Sequence, residues 1–214
     1  HCVTRRQRQM CIRDRFISNA QITWDGSSST DWNTTANWST NSVPTSSDDV
    51  IIPDVTNDPV LSSSSDVCKD MTIQNGAILT SNNSSYKLTA SSITVNDGGS
   101  LVISNGDVEI TGTSDINGIL EIGTGTFDAN GTFDATGGAV TFTDAGRLEL
   151  AGTVTSLGTL TELTGTVEYD GGTQNVLAES YYNLVIDQSG DKTAQGGTIN
   201  VANDMTISSS ATFS

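Results

Sequence analysis

From about residue 61 onward the chain repeats one small unit. Two apolar residues stand at i and i+2, and a cluster of Gly, Asn or Asp follows. The pairs are Met71/Ile73, Ile93/Val95, Leu101/Ile103, Val108/Ile110, Leu120/Ile122 and Val140/Phe142, then Leu148/Leu150, Val167/Tyr169, Leu184/Ile186, Ile199/Val201 and Met205/Ile207. Period-two alternation over runs this short predicts short strands with one buried face. Asn75-Gly76, Asp97-Gly98, Asn105-Gly106, Asn117-Gly118, Asn130-Gly131 and Asp170-Gly171 mark sharp corners between them, because Gly and Asn tolerate positive φ. Two echoes place the units in register. Thr72-Ile73-Gln74-Asn75-Gly76 overlays Thr94-Val95-Asn96-Asp97-Gly98, an offset of 22 residues, and the segment 67–77 overlays 201–211. Spacings of about 20 to 50 residues are the mark of stacked repeats. An array of hairpins in a β-sandwich would also use Asn-Gly turns. The repeat offset, with Thr, Ser and Asn available to stack in ladders, favours an all-β right-handed parallel β-helix. A single turn of such a coil cannot offset its own ordering entropy, so the turns are stable only as a stack.

Composition supports strands and excludes several partners. Only 35% of residues are apolar, and the net charge is −16. Five of the nine basic residues are Arg5, Arg6, Arg8, Arg13 and Arg15; beyond residue 15 there are 24 acidic residues against four basic ones, Lys69, Lys87, Arg147 and Lys192. Such a surface repels phosphate backbones and anionic headgroups, which excludes nucleic acid as a partner. No apolar run reaches the length of a membrane span, so no membrane insertion is expected. No cofactor is indicated, although exposed carboxylates could bind Ca²⁺ weakly. The cysteines Cys2, Cys11 and Cys68 form no disulfide framework.

Residues 1–15 differ from everything that follows. They hold most of the arginines, two of the three cysteines and the sole histidine. The segment resembles translated sequencing-adapter sequence and is expected to be non-native or disordered. Residues 16–60 are expected to form a Trp-rich cap with the first strands, and 61–214 the β-helix proper. The repeat breaks off at Phe213-Ser214, so the chain reads as a fragment truncated at its C-terminal end.

Residues 22–55 hold all three tryptophans, Trp24, Trp32 and Trp38, with Val43-Pro44-Thr45 and Asp48-Asp49-Val50-Ile51-Ile52-Pro53 after them. This pattern resembles the start of β-helical segments in bacterial cell-surface proteins, including type IX-secreted proteins of the Bacteroidota and autotransporter-like passengers. Tyr182–Ile186 and Gly196–Val201 resemble the same proteins. The resemblance implies a pectin-lyase-like coil displayed at the cell surface or secreted, and it implies no activity. The indoles are expected to cap the stack, since an open end would template aggregation. The other reading makes Trp24, Trp32 and Trp38 a stacking platform for sugar rings.

The reagents of common enzymes are sparse. A glycosidase needs two positioned carboxylates. Asp48 and Asp49 are adjacent and would face opposite sides of a strand, while Asp128 and Asp134 recur in two Thr-Phe-Asp-Ala segments and read as a stacked or turn feature. A lyase would want basic residues, and no His follows residue 15 for acid–base work. The expectation is an extracellular or cell-surface structural or adhesin-type solenoid without catalytic activity of its own. A carbohydrate-binding module, or a non-catalytic piece of a larger polysaccharide-active β-helix enzyme, is the alternative. A polysaccharide or a host or cell-surface glycan is the expected partner.

Overall fold

The computed structural model describes residues 21–214; the expectation for residues 1–15 lies outside them. The chain winds as a parallel β-solenoid of about eight turns, with 54% of residues in strands. In chain order the strands are β1 (Gln21–Thr23), β2 (Asp49–Ile52), β3 (Asp66–Val67), β4 (Asp70–Ile73), β5 (Ile78–Ala90), β6 (Ser92–Val95), β7 (Ser100–Ile110), β8 (Ser114–Ile116), β9 (Ile119–Ile122) and β10 (Thr126–Ala129). They continue as β11 (Phe133–Asp134), β12 (Ala139–Phe142), β13 (Arg147–Leu150), β14 (Val154–Ser156), β15 (Thr159–Thr161) and β16 (Thr166–Tyr169). The last are β17 (Gln174–Leu177), β18 (Ser180–Ile186), β19 (Gly190–Gln195), β20 (Asn200–Ile207) and β21 (Ala211–Phe213).

Three faces result. The first carries β1, β2, β4, β6, β8, β11 and β14 in order, and later β17, β19 and β21. The second carries the opening half of β5 and β7, then β9, β12 and β15. The third carries the closing half of β5 and β7, then β10, β13, β16, β18 and β20. All these ladders are parallel, which excludes the sandwich. Thr72 lies beside Thr94 and Ile73 beside Val95, as the 22-residue echo predicts. The longer echo does not mark equivalent positions. Met71 lies on the first face and Met205 on the third, because both segments are simply strands leading to a corner.

Alternation sends one residue in two inward. Leu88, Val108, Phe127, Leu148, Val167 and Leu184 form one continuous column on the third face, all buried. Each such side chain contributes roughly 1.5–3 kcal/mol when buried. Met205 and Ile207 break the pattern, at 38% and 47% exposed, because among the described residues β20 has β18 on one flank and no strand on the other.

The corners are built on stacked glycines. Gly112, Gly131 and Gly152 sit above one another on successive turns, and a Cβ on Gly152 would lie 1.9 Å from the Gly131 carbonyl oxygen. At Gly131 the same distance to Gly112 is 2.1 Å. Neither has a left-handed φ. Their role is close approach between turns, not the positive φ expected of every Asn-Gly mark; Gly76, Gly98 and Gly106 do have it.

The ladder has one interruption. Among the described residues, on the first face β14 pairs only with β11, and β17 only with β19. On the second face β15 pairs only with β12. The third face alone runs through, from β13 to β16 and on to β18.

Candidate functional site

The tryptophans fill the first described turn. Trp24, Trp32 and Trp38 are 0%, 0% and 1% exposed. Trp38 makes edge contacts with Trp24 and Trp32 at 4.9 and 4.7 Å between ring centroids. Trp24 Nε1 donates to the Asn57 carbonyl at 2.7 Å, and Trp38 Nε1 to that of Trp32 at 2.8 Å. The buried Asn37 amide holds the surrounding loop, donating to Ser29 and the Asp31 carbonyl. A sugar platform needs an open ring face, and none of the three indoles offers one. The three indoles are core residues, and the alternative reading of them as a sugar-stacking platform has no exposed ring to rest on. The strands β1 and β2 already belong to the same ladder as β4, so this turn is continuous with the coil.

The outer side of the third face gathers the charged chemistry. Strand register aligns Thr89, Glu109, Asp128, Glu149 and Glu168 in one column, and Lys87, Asp107, Thr126, Arg147 and Thr166 in the next. Neighbouring strands stand about 4.8 Å apart, so four carboxylates are stacked at that pitch. Lys87 Nζ lies 2.7 Å from Glu109 at one end. Arg147 reaches Glu149 at 3.6 Å and also abuts Glu168 at the other. Asp128 sits between them without a cation. Asn130 donates to its Oδ2 at 3.2 Å and to Glu109 at 3.4 Å, while Oδ1 is buried and unpartnered. Burial pushes the Asp128 carboxyl above the ordinary aspartate range, and the charges of Asp170 and Glu109 push the same way. Burial and the Asp128 charge likewise raise Glu149, against the pull of Arg147. A cleft of about 260 Å³ is lined here by Lys87, Asp107, Glu109, Thr126, Asp128 and Glu149.

The sequence reading missed this row, because its members are 19 to 21 residues apart and only stacking brings them together. The usable signal was the polar member of each i, i+2 pair, taken at the repeat offset. Asp134 lies on another face and accepts from Thr136 N–H and hydroxyl in its own turn. Asp48 accepts from Thr45, and Asp49 from Lys69. Cys68 is buried, and burial pushes its thiol up to about 12, which keeps it protonated and unreactive. Among the described residues no group of three or more carboxylates, His or Cys is arranged to hold a metal ion.

A family model described as a domain of unknown function, DUF8693, matches residues 23–144, more than half of the chain. The chain belongs to the DUF8693 family. No curated protein and no solved structure matches it. The DUF8693 region takes in the tryptophan turn and the coil as far as β12. It holds Lys87, Asp107, Glu109 and Asp128, whereas Arg147, Glu149 and the interrupted ladder lie beyond it.

Proposed function

We propose that this chain is a structural or adhesin-type solenoid segment, secreted or displayed at the surface of a bacterial cell, with no catalytic activity of its own. The observation that carries the reading is the unbroken third face. Its strands from β3 to β20 form one ladder, with an apolar column inside and, from β7 to β16, a charged column outside. At about 4.8 Å per turn, eight turns make a rod of about 40 Å, suited to holding a neighbouring domain away from a surface. The resemblance of the Trp segment to bacterial surface proteins supports the location. The test is a polysaccharide panel incubated with the purified chain, read as released reducing ends or unsaturated products. No release is expected. Release that disappears in Asp128→Asn would overturn the reading.

A second reading, glycan binding, now rests on the carboxylate cleft and not on the indoles. Stacked acceptors about 4.8 Å apart, with Lys87 and Arg147 as donors at either end, can engage sugar hydroxyls. A glycan array with and without Ca²⁺ tests both that binding and the weak calcium affinity expected of exposed carboxylates. Signal lost in Glu109→Gln would establish the second reading.

A further inference from the structure

On the first face β14 and β17 lie on consecutive turns, joined through the β13–β16 ladder of the third face, yet among the described residues no ladder links the two strands themselves. The Gln174 side chain takes its place. It donates to the Leu150 and Gly152 carbonyls, each at 2.7 Å, and accepts from Gly171 N–H at 2.8 Å. Together with the buried Val154 it closes the floor of a groove of about 590 Å³ on the outer side of the coil. Thr153 and Thr155 on one turn, Thr173 and Asn175 on the next and Gln195 on the turn after line that groove, all exposed. Three successive turns at about 4.8 Å give it a length of about 10 Å.

Charge and hydrogen bonding both set this groove apart. No charged side chain lines it, whereas the third-face cleft is lined by Lys87, Asp107, Glu109, Asp128 and Glu149. Elsewhere on the coil, outward polar side chains are tied to a neighbour: Asn117 to Asp115, Thr136 to Asp134 and Asn130 to Asp128. The three threonine hydroxyls and the Asn175 and Gln195 amides have no such partner among the described residues. A hydroxyl and a carboxamide can each donate and accept. Here they are gathered in a concavity within the range of small-ligand sites, about 300–1,000 Å³. Sugar hydroxyls also donate and accept, so a neutral saccharide can satisfy the whole set. An anionic chain finds no counter-charge here and is repelled by the acidic surface around it. The lining holds no aromatic ring, so hydrogen bonds alone must hold the ligand. We propose that this groove binds an uncharged oligosaccharide laid across the stacked turns, resting on the glycan reading above for the class of partner and on the groove itself for the site.

The experiment titrates the whole chain with cellohexaose, maltohexaose, mannohexaose and hexagalacturonate. NMR follows the Asn175 and Gln195 side-chain amides and the backbone amides of 153–155 and 173–175. At least one neutral hexasaccharide should shift these signals saturably, and hexagalacturonate should not. Thr155→Ala combined with Asn175→Ala should weaken that binding about tenfold with Tm unchanged, since both residues are exposed. Gln195→Ala, on a different turn, should weaken it as well, and Glu109→Gln should leave it intact. Saturable shifts confined to the third-face cleft, and lost in Glu109→Gln, would overturn the groove while keeping the glycan reading. No shift at either place with any of the four sugars would overturn both. Equal binding of hexagalacturonate in the groove would overturn its selection for an uncharged ligand.

Discussion

The turns before the interruption and those after it are made of the same short strands, yet they hold together differently. In the stretch from β4 to β13, inward positions are almost all aliphatic or aromatic, and glycine corners let successive backbones close to contact distance. After β16 the inward column on the first face turns polar: Gln174 is followed by Lys192, 8% and 0% exposed. The Lys192 ammonium donates to the carbonyls of Gly171, Asp187 and Gln188. Burial pulls its pKa below the ordinary lysine value, against the opposing pull of Asp187 and Asp170. The Tyr169 and Tyr181 phenols, 3.1 Å apart, serve backbone groups in the same way. Side chains there replace hydrogen bonds that the ladder supplies elsewhere. A solenoid turn can thus be closed by its neighbours' backbone or by its own interior, and the second route leaves the turn open on one side.

The largest test of this contrast is a charge in the aliphatic column. Ile110→Asp puts an unpartnered carboxylate in a dry interior and should cost roughly 4 kcal/mol or more by urea denaturation. Thr111→Asp, one residue on and exposed, should stay within about 0.5 kcal/mol. Equal effects would mean that the alternation does not define inside and outside.

Trp38→Ala comes next, with an expected loss of about 3–5 kcal/mol, since the ring packs between two other indoles. An unchanged midpoint would show that the first turn does not depend on its tryptophans. Gly152→Ala forces a Cβ against the Gly131 carbonyl, and about 1–3 kcal/mol should be lost. Gly172→Ala, near the interruption and with nothing within 4 Å of its Cβ, should be close to silent in the same urea titrations. A silent Gly152→Ala would remove the glycine account of closure.

Lys192→Met leaves three carbonyls without their donor and should cost about 1–3 kcal/mol. The loss should appear as faster amide exchange in β17 and β19, with β6 and β8 unaffected. Uniform loss along the coil would mean the two regions unfold as one unit. The smallest effect is Asp128→Asn. The folded carboxyl sits above its unfolded value, so charging it opposes folding as pH rises through that window. Removing the charge should therefore raise stability at pH 7 by about 0.5 kcal/mol, a modest figure for a partly solvated site. The wild type should approach the variant as pH falls through the carboxylate range, and a lower Tm at pH 7 would reverse the assignment.

Much of the coil could be read from residue order. Alternation in pairs such as Leu101/Ile103 depends only on strand geometry, which sends successive side chains to opposite faces whatever the fold. The 22-residue echo carried the register of β4 on β6, because parallel stacking places like residues over like. Local composition also marked the corners, since glycine is needed wherever backbones approach that closely. What residue order could not supply was anything dependent on how many residues each turn consumes. The row Glu109, Asp128, Glu149 and Glu168 exists because consecutive turns on that face differ by 19 to 21 residues, and an error of one would send a carboxylate inward. The burial of Gln174 and of Lys192 was also decided only in three dimensions. The tryptophans were legible as a cap, but Gln174 and Lys192 read as surface residues until a neighbouring turn supplies the carbonyl oxygens that make their burial favourable. Sequence determined the strand, the corner and the repeat, which are local consequences of backbone geometry; the tertiary structure decided which polar groups meet, because that depends on where each turn ends.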